Sequence, residues 1–221
     1  LRWVRPLHSI LCVFAGKPLK FIVDGVAADN KTQGHRFLGG REFAVKNFDE
    51  YASKLEKNKV ILDPAKRAEI ILKDAKALAK KKKLALVEDE GLLAEAAGLV
   101  EWPVVLMGTF DKAFLDVPSE VLISTLKSHQ KCFSVRKGKS LVNKFILVSN
   151  LETGDDGAEI IAGNERVIRA RLSDAKFFWD NDLARPLDDL LPKLEEIVFH
   201  AKSLLGSNFG NLDRTFYMRS R

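Results

Sequence analysis

Residues 63–83, DPAKRAEIILKDAKALAKKKK, carry the clearest structural signal in the chain, and the remaining elements can be placed around them. Asp63 followed by Pro64 is typical of a helix start, because Asp caps the first turn and Pro is favoured at the first helical position. Apolar residues then recur at helical spacing: Ala68, Ile71, Leu72, Ala75, Leu78 and Ala79. The lysines at 80–83 suit the negative end of a helix dipole. The sequence therefore predicts an amphipathic helix that ends in this lysine run.

Further helices and strands are predicted on both sides of this helix. The patterns indicate helices over residues 48–57, 91–100, 118–128 and 159–179, strands over 60–62 and 104–108, and a hairpin of 131–136 with 144–149. A last helix is expected over residues 186–201. Because helices and strands are interspersed, the predicted fold class is mixed α/β, with a compact layered α/β body followed by a helical segment.

The first forty residues favour strands and a loop. Residues 3–14 and 20–26 are rich in β-branched and aromatic side chains, and Gly16-Lys17-Pro18 predicts a turn between two strands. A helix over residues 9–15 is the alternative, and residues 33–40 are expected to form a loop. The first residue is Leu1, so the sequence is expected to start inside a larger protein.

The predicted domains are an α/β body at residues 1–155 and a helical segment at 156–206 that continues into a missing part of the protein. A disordered or non-family tail is expected at 207–221, where polar and aromatic residues alternate without periodicity.

The composition is that of a basic globular protein. The chain has 221 residues, 46% of them hydrophobic, and a net charge of +6, which permits an anionic partner such as RNA. No apolar run approaches the roughly 18–20 residues of a membrane helix. Cys12 and Cys132 are far apart and lack metal-type spacing, so they are expected to be reduced core residues of a cytoplasmic protein.

Familiar catalytic signatures are absent from the sequence. It has no Gly-rich phosphate loop ending in Lys-Ser or Lys-Thr, no paired-cysteine zinc pattern and no Gly-x-Ser-x-Gly elbow. The histidines are isolated in sequence: His8, His35, His129 and His200. We therefore expect no catalytic residue and no metal ligand in this chain.

Five segments together resemble the β subunit of the bacterial two-subunit glycyl-tRNA synthetases. They are residues 1–8 (LRWVRPLH), 34–39 (GHRFLG), 99–110 (LVEWPVVLMGTF), 117–133 (VPSEVLISTLKSHQKCF) and 163–179 (GNERVIRARLSDAKFFW). The last is the most specific, and the resemblance runs from Leu1 to about Lys202.

The resemblance implies an α₂β₂ enzyme that activates glycine with ATP and transfers it to its tRNA. The α subunit carries the catalytic centre and uses ATP and Mg, so no cofactor is expected in this segment. The implied partners are the α subunit, tRNA-Gly and the remainder of the β subunit. Two further functions stay open: a free-standing RNA-binding module, and an editing-type domain that hydrolyses mischarged tRNA.

Three groups of residues are candidates for RNA binding. In residues 34–37, Arg36 is expected to contact phosphate while His35 or Phe37 stacks on a base. The alternative is a structural loop in which Phe37 anchors in the core. The second group is Lys127, His129, Gln130 and Lys131, with a solvated helix end as the alternative.

The third group is Arg166 and Arg169, which form an arginine ridge on the long helix or are structural. Glu165 is expected to pair with Arg169 at i,i+4. A structural interpretation of the same helix places Arg171 and Asp174 in internal ion pairs and packs the aromatic residues 177–179 in the core. The lysines 80–83 suggest an RNA-binding patch, but such runs are usually solvated surface, and that is the expectation here.

Overall fold

The core of the chain forms where two helices cover one face of an antiparallel sheet. A computed structural model describes residues 7–184 and 186–190. The sheet has the order β8-β10-β11-β9, and its strands are β8 (Ala85–Leu86), β9 (Val104–Thr109), β10 (Phe133–Lys137) and β11 (Ser140–Ser149). The covering helices are α2 (Pro64–Lys81) and α3 (Glu90–Leu99).

Strand alternation decides which side chains meet these helices. Phe133 pairs with Ile146 and Met107 lies opposite Ile146 on the next strand, so all three share one face of the sheet. They pack with the buried stripe of α2, which consists of Ile71, Ala75 and Ala79. Alanine at two of the three positions lets the helix backbone approach the sheet closely.

The opposite face carries Phe145, whose ring lies directly under Gly108 of β9. Helix α4 (Ser119–Gln130) contacts β10 and β11, and buries Leu122 and Leu126. Helix α5 (Ala158–Leu183) begins beside β9, where Gly157 approaches Leu106. The part of the chain from α2 to α5 is therefore a layered α/β structure, which confirms the predicted fold class.

The segment before α2 consists of short strands and one helix. The strands are β1 (Ile10–Leu11), β2 (Val13–Phe14), β3 (Lys17–Pro18), β4 (Ile22–Val23), β5 (Val26–Asp29), β6 (Lys31–Thr32) and β7 (Phe43–Ala44). Helix α1 spans Phe48–Lys57. Short 3₁₀ helices at Lys112–Asp116 and Leu187–Leu190 complete the elements of the described chain.

Capping explains why most helix predictions are confirmed. Asp63 accepts a hydrogen bond from Ala65 N–H at 2.8 Å and starts α2, as predicted. Asn47 does the same for α1 by accepting from Glu50 N–H, and α1 has the predicted bounds. Helices α3 and α4 and strands β9 and β10 also lie within about two residues of their predicted positions, which is the usual uncertainty of helix and strand ends. Strand β11 was predicted to begin at 144 but begins at Ser140, so the hairpin is longer than predicted.

The predicted strand at residues 60–62 is wrong. Ile61 N–H donates to the carbonyl of Glu101, but the carbonyls of Ile61 and Leu62 accept from the guanidinium of Arg67 at 2.6 and 2.9 Å. A side chain of α2 thus occupies the acceptors that a second strand would need.

The N-terminal strand prediction is confirmed in type but not in extent, and the alternative helix over 9–15 is wrong. Cys12 N–H donates to Asp29 while the Cys12 carbonyl accepts from Leu19, so the chain changes partners at this residue and the strand is split. The turn lies at Ala15-Gly16, both with positive φ, as a two-residue hairpin favours. Residues 1–6 lie outside the described part.

Both cysteines are free, as expected, although Cys12 is only half-buried. Burial raises the pKa of the Cys132 thiol to about 12, so this thiol stays protonated. No helix of the described ranges, 7–184 and 186–190, combines the length and apolarity that crossing a membrane requires.

By contacts between Cα atoms, the chain divides into two compact units, Leu1–Lys176 and Phe177–Arg221. The domain boundaries at 155/156 and 206/207 stay predictions. Of the helix predicted over 186–201, residues 187–190 form the short 3₁₀ helix and residues 191–201 lie outside the described residues.

The contact between Gly108 and the Phe145 ring gives a stability prediction. A Cβ at Gly108 would lie 2.3 Å from Phe145 Cζ, so Gly108→Ala forces the ring to move in a packed layer. We expect it to lower the free energy of unfolding by about 1–3 kcal/mol. Urea denaturation measures the change.

Gly98→Ala is the matched control, because a Cβ there meets nothing within 4 Å on helix α3. We expect that variant to be neutral or more stable by up to about 1 kcal/mol. Equal stabilities of the two variants would contradict the packing described for β9.

Candidate nucleic-acid interface

The loop at residues 34–39 (GHRFLG) is organised by the side chain of His35, which is only 3% exposed. Its Nδ1 accepts hydrogen bonds from the backbone N–H groups of Phe37 and Leu38 at 3.2 and 3.1 Å. An accepting Nδ1 carries no proton, so the ring proton lies on Nε2, which is buried without a hydrogen-bond partner in the described chain. The histidine thus closes the loop from inside.

Close backbone packing then holds this loop against the end of α1. A Cβ on Gly34 would lie 2.3 Å from Cβ of Asn58, and one on Gly39 would lie 2.6 Å from the carbonyl oxygen of His35. Asn58 also accepts hydrogen bonds from Gly40 N–H at its side chain and from His35 N–H at its carbonyl. The loop can adopt this path because both close approaches are made by glycine.

As a result Arg36 and Phe37 are displayed to solvent. Phe37 is 72% exposed, and the Arg36 guanidinium carbon lies 5.5 Å from the centroid of its ring. The alternative in which Phe37 anchors in the core is wrong, because His35 takes the buried position. His35 cannot stack on a base in this conformation, whereas Arg36 and Phe37 remain available to a ligand.

The second predicted group is largely engaged within the protein. Lys127 pairs with Asp89 at 2.5 Å and Lys131 pairs with Glu95 at 2.8 Å, so two lysines of α4 and its C-terminus hold helix α3. His129 is exposed and Gln130 is half-buried at the end of α4. The hydrogen bond from Lys127 lowers the pKa of Asp89, and the N–H of Leu92 adds to the effect because Asp89 also caps α3.

The side chains of the third group, Arg166 and Arg169, are exposed on α5 and make no hydrogen bond or ion pair within residues 7–184 and 186–190. The predicted Glu165–Arg169 pair is wrong. Glu165 instead accepts from the backbone N–H and hydroxyl of Thr109 at 2.7 and 2.9 Å, which fastens α5 to the end of β9.

The buried side of α5 consists of Ile168 and Leu172. Arg171 and Asp174 are exposed and form no ion pair in the described chain, so their expected internal pairing is wrong. Phe177 and Phe178 are each 63% exposed and contact one another edge to face, which contradicts their placement in a core. Trp179 is half-buried.

A groove of about 540 Å³ runs beside the loop, between α1 and the C-terminal end of α3. Arg67 lines it, but the guanidinium is held by the carbonyls of Ala97, Ile61 and Leu62. The described residues of the lining include no histidine, cysteine or serine. No cluster of three or more potential metal ligands occurs within residues 7–184 and 186–190.

The comparisons with known proteins place the chain among tRNA synthetase subunits. A family model described as glycyl-tRNA synthetase beta subunit matches residues 1–219. The chain belongs to this family. It is 49% identical over 226 residues to the glycine–tRNA ligase beta subunit of Ruegeria sp. (strain TM1040), an alignment that covers 97% of this chain and 32% of that protein. The chain thus spans about a third of the length of this relative.

The family match corrects one expectation. It includes residues 207–219, so the interpretation of this segment as a non-family tail is wrong. The mixed polar and aromatic residues there have no periodicity that would have shown the membership. Whether the segment is ordered concerns residues outside the described part.

The Lys127–Asp89 pair predicts a pH dependence. Because the folded pKa of Asp89 lies below its ordinary value of 3.8, the ionised carboxylate stabilises the fold above about pH 4 and the contribution is lost as the pH falls through the folded pKa. We expect the parent to lose more unfolding free energy than Asp89→Asn between about pH 5 and pH 3, by up to about 1 kcal/mol because the pair is partly exposed.

Urea denaturation at a series of pH values tests this expectation. Asp111→Asn is the control, since Asp111 also caps a helical turn, through Ala113 N–H, but pairs with no lysine in the described chain. Its pH profile should follow the parent. Parallel profiles for the parent and Asp89→Asn would show that the pair contributes nothing to stability.

Proposed function

We propose that this chain is a noncatalytic part of a glycine–tRNA ligase, contributing tRNA binding and subunit assembly. The holoenzyme would join glycine to tRNA-Gly with ATP and release AMP and pyrophosphate. The observation that carries the proposal is the family match over residues 1–219, together with 49% identity to a glycine–tRNA ligase beta subunit. The proposed partners are the α subunit, tRNA-Gly and the rest of the β subunit.

The distribution of engaged and free side chains supports a binding role. Arg36, Arg166 and Arg169 are exposed and make no ion pair with a described residue. Arginine in this state offers a planar, always charged donor group to phosphate oxygens. Phe37 adds an exposed ring beside Arg36, and aromatic rings bind unpaired bases by stacking.

ATP and Mg are assigned by this proposal to the α subunit. The groove next to α1 contains the side chains of Arg67 and Glu101, but Arg67 is committed to backbone carbonyls. Nothing in this arrangement pairs a nucleophile with a general base. The described part of the chain therefore supports assembly and RNA contact better than chemistry.

The first test is glycine-dependent pyrophosphate exchange by the purified chain. We expect a rate equal to that of a no-enzyme control, because activation of glycine belongs to the α subunit in this proposal. Adding purified α subunit controls for assay conditions, and the preparation must be free of α subunit beforehand. Exchange by the chain alone would refute the noncatalytic role.

The second test is a salt titration of tRNA binding. Arg166→Ala with Arg169→Ala removes two cations that have no partner in the described chain, so the slope of log affinity against log salt should shrink by about 2 for two phosphate contacts. Binding should weaken alike for different tRNAs, because phosphate contacts carry no base information.

Arg166→Lys with Arg169→Lys is the charge-preserving control and should keep most of the slope. Circular dichroism confirms that α5 is intact in each variant. If the alanine variant folds normally and binds as the parent does, the two arginines do not contact RNA.

A further inference from the structure

The pairing of β8 with β10 brings together two basic segments that are distant in sequence. Val135 lies opposite Leu86, and Arg136 lies opposite Ala85. Next to this last pair, the segment before Ala85 contains lysines 80–83 at the end of α2, and the segment after Arg136 enters the hairpin turn. Lys83, with φ of 58°, and Gly138, with φ of 61°, form the two reversals.

The two segments together form what we call the basic surface. Its members are lysines 80–83 at the end of α2, and Arg136, Lys137 and Lys139 on the hairpin. All seven side chains are exposed, and none has a hydrogen bond or ion pair to a residue of the described chain. In contrast, Lys127 and Lys131 are each paired with a carboxylate.

Neither segment of the basic surface carries an acidic residue. There is no Asp or Glu between Asp74 and Glu88, or between Glu120 and Glu152. Glu88, the acid that follows β8, is already paired with Lys76 at 2.8 Å. The absence of carboxylates therefore extends along both strands that carry the cations.

Such a concentration of charge exceeds what the helix end explains. The C-terminus of a helix carries only about half of a negative charge, which accounts for one or two lysines. Exposed charges repel one another within a Debye length of about 10 Å at moderate salt, so seven unpaired cations on adjoining segments lower the stability of the free protein. A bound polyanion removes that repulsion and releases its own counterions.

The shape of the surface indicates which polyanion it fits. Pairing of β11 with β9 begins at Lys144, and pairing of β10 with β8 ends at Arg136, so the hairpin end from Lys137 to Ser140 extends beyond both neighbours as a two-stranded ribbon. The uncharged side chains at this end, Leu84, Ala85 and Ser140, include no aromatic ring. Without a stacking platform, the surface suits the phosphate backbone of a double helix rather than splayed bases.

We propose that the basic surface binds the phosphate backbone of double-helical RNA. This inference rests on the proposed tRNA-binding function and assigns a stem of the tRNA to the ribbon and the end of α2. Each cation that contacts a phosphate contributes about 0.9 to the salt slope on a duplex. The contacts are independent of base sequence, so different stems of equal length bind alike.

The experiment compares three variants of the full chain, each lacking three cations. The first is K80Q/K81Q/K82Q, which leaves Lys83 to end the helix, and the second is R136Q/K137Q/K139Q, which leaves Gly138 in the turn. The control is K20Q/K31Q/K66Q, whose lysines are paired with Asp29, Glu42 and Glu56. All three have the same net charge.

Binding is measured by fluorescence anisotropy with an RNA hairpin stem, a single-stranded RNA of equal length, and whole tRNA. We expect the first two variants each to reduce the salt slope on the stem by about 2 to 3 and to weaken binding at least about tenfold at moderate salt. The control should stay close to the parent. The parent should also prefer the stem to the single strand.

Two outcomes would overturn the inference alone: a parent that binds tRNA while the first two variants behave as the control does, or a parent that prefers single-stranded RNA. A parent that fails to bind tRNA would refute the inference and the proposed RNA-binding role together. Binding to vesicles of anionic lipid without binding to RNA would also overturn it, and would assign the surface to a membrane instead.

Discussion

The structure depends on the burial of one stripe of α2, Ile71, Ala75 and Ala79, against the four-stranded sheet. Full burial of an Ile side chain contributes about 1.5–3 kcal/mol, and the two alanines let the helix lie near enough for Phe133 and Ile146 to reach it. Because α2 is held there, its C-terminal end lies beside β8, which pairs with β10. The position of the basic side chains at this end of the sheet follows from this packing.

The charged residues divide into two populations with different structural roles. One population connects elements: Lys127 and Lys131 hold α3, Glu165 holds β9, and Arg67 holds the segment before α2 through backbone carbonyls. These contacts join elements that are distant in sequence. The other population has no such partners in the described chain, and it occupies the 34–39 loop, α5 and the basic surface. A protein with a net charge of +6 can thus use some of its charged side chains in internal contacts and keep other cationic side chains available for binding RNA.

Sequence patterns predicted the structure correctly where residues that are close in sequence determine it. The cap at Asp63 predicted the start of α2, and the family resemblance is confirmed by the match over residues 1–219. The patterns predicted the structure incorrectly where a contact with a residue distant in sequence determines it. Nothing local shows that Arg67 takes the carbonyls of residues 61 and 62, or that Glu165 prefers Thr109 to Arg169.

The candidate site was harder to predict than the fold for the same reason. The order of burial in GHRFLG is the reverse of what hydrophobicity suggests, because His35 can accept two backbone hydrogen bonds that Phe37 cannot. The carboxylates that pair with Lys127 and Lys131 belong to α3 and its N-cap, and α3 comes close to these lysines only in the folded chain. The basic surface needed the β8–β10 register, since lysines 80–83 taken alone are typical of a solvated helix end.

Lysine footprinting with and without tRNA compares the lysines of the basic surface with lysines that are paired to carboxylates. The chain is acetylated under mild conditions, and the modification of each lysine is measured by mass spectrometry. If the basic surface binds RNA, tRNA protects lysines 80–83, Lys137 and Lys139, while Lys20, Lys31 and Lys66 react as before. Equal protection of both groups, or protection confined to the second, would show that the surface assembled by the sheet is not where the RNA lies.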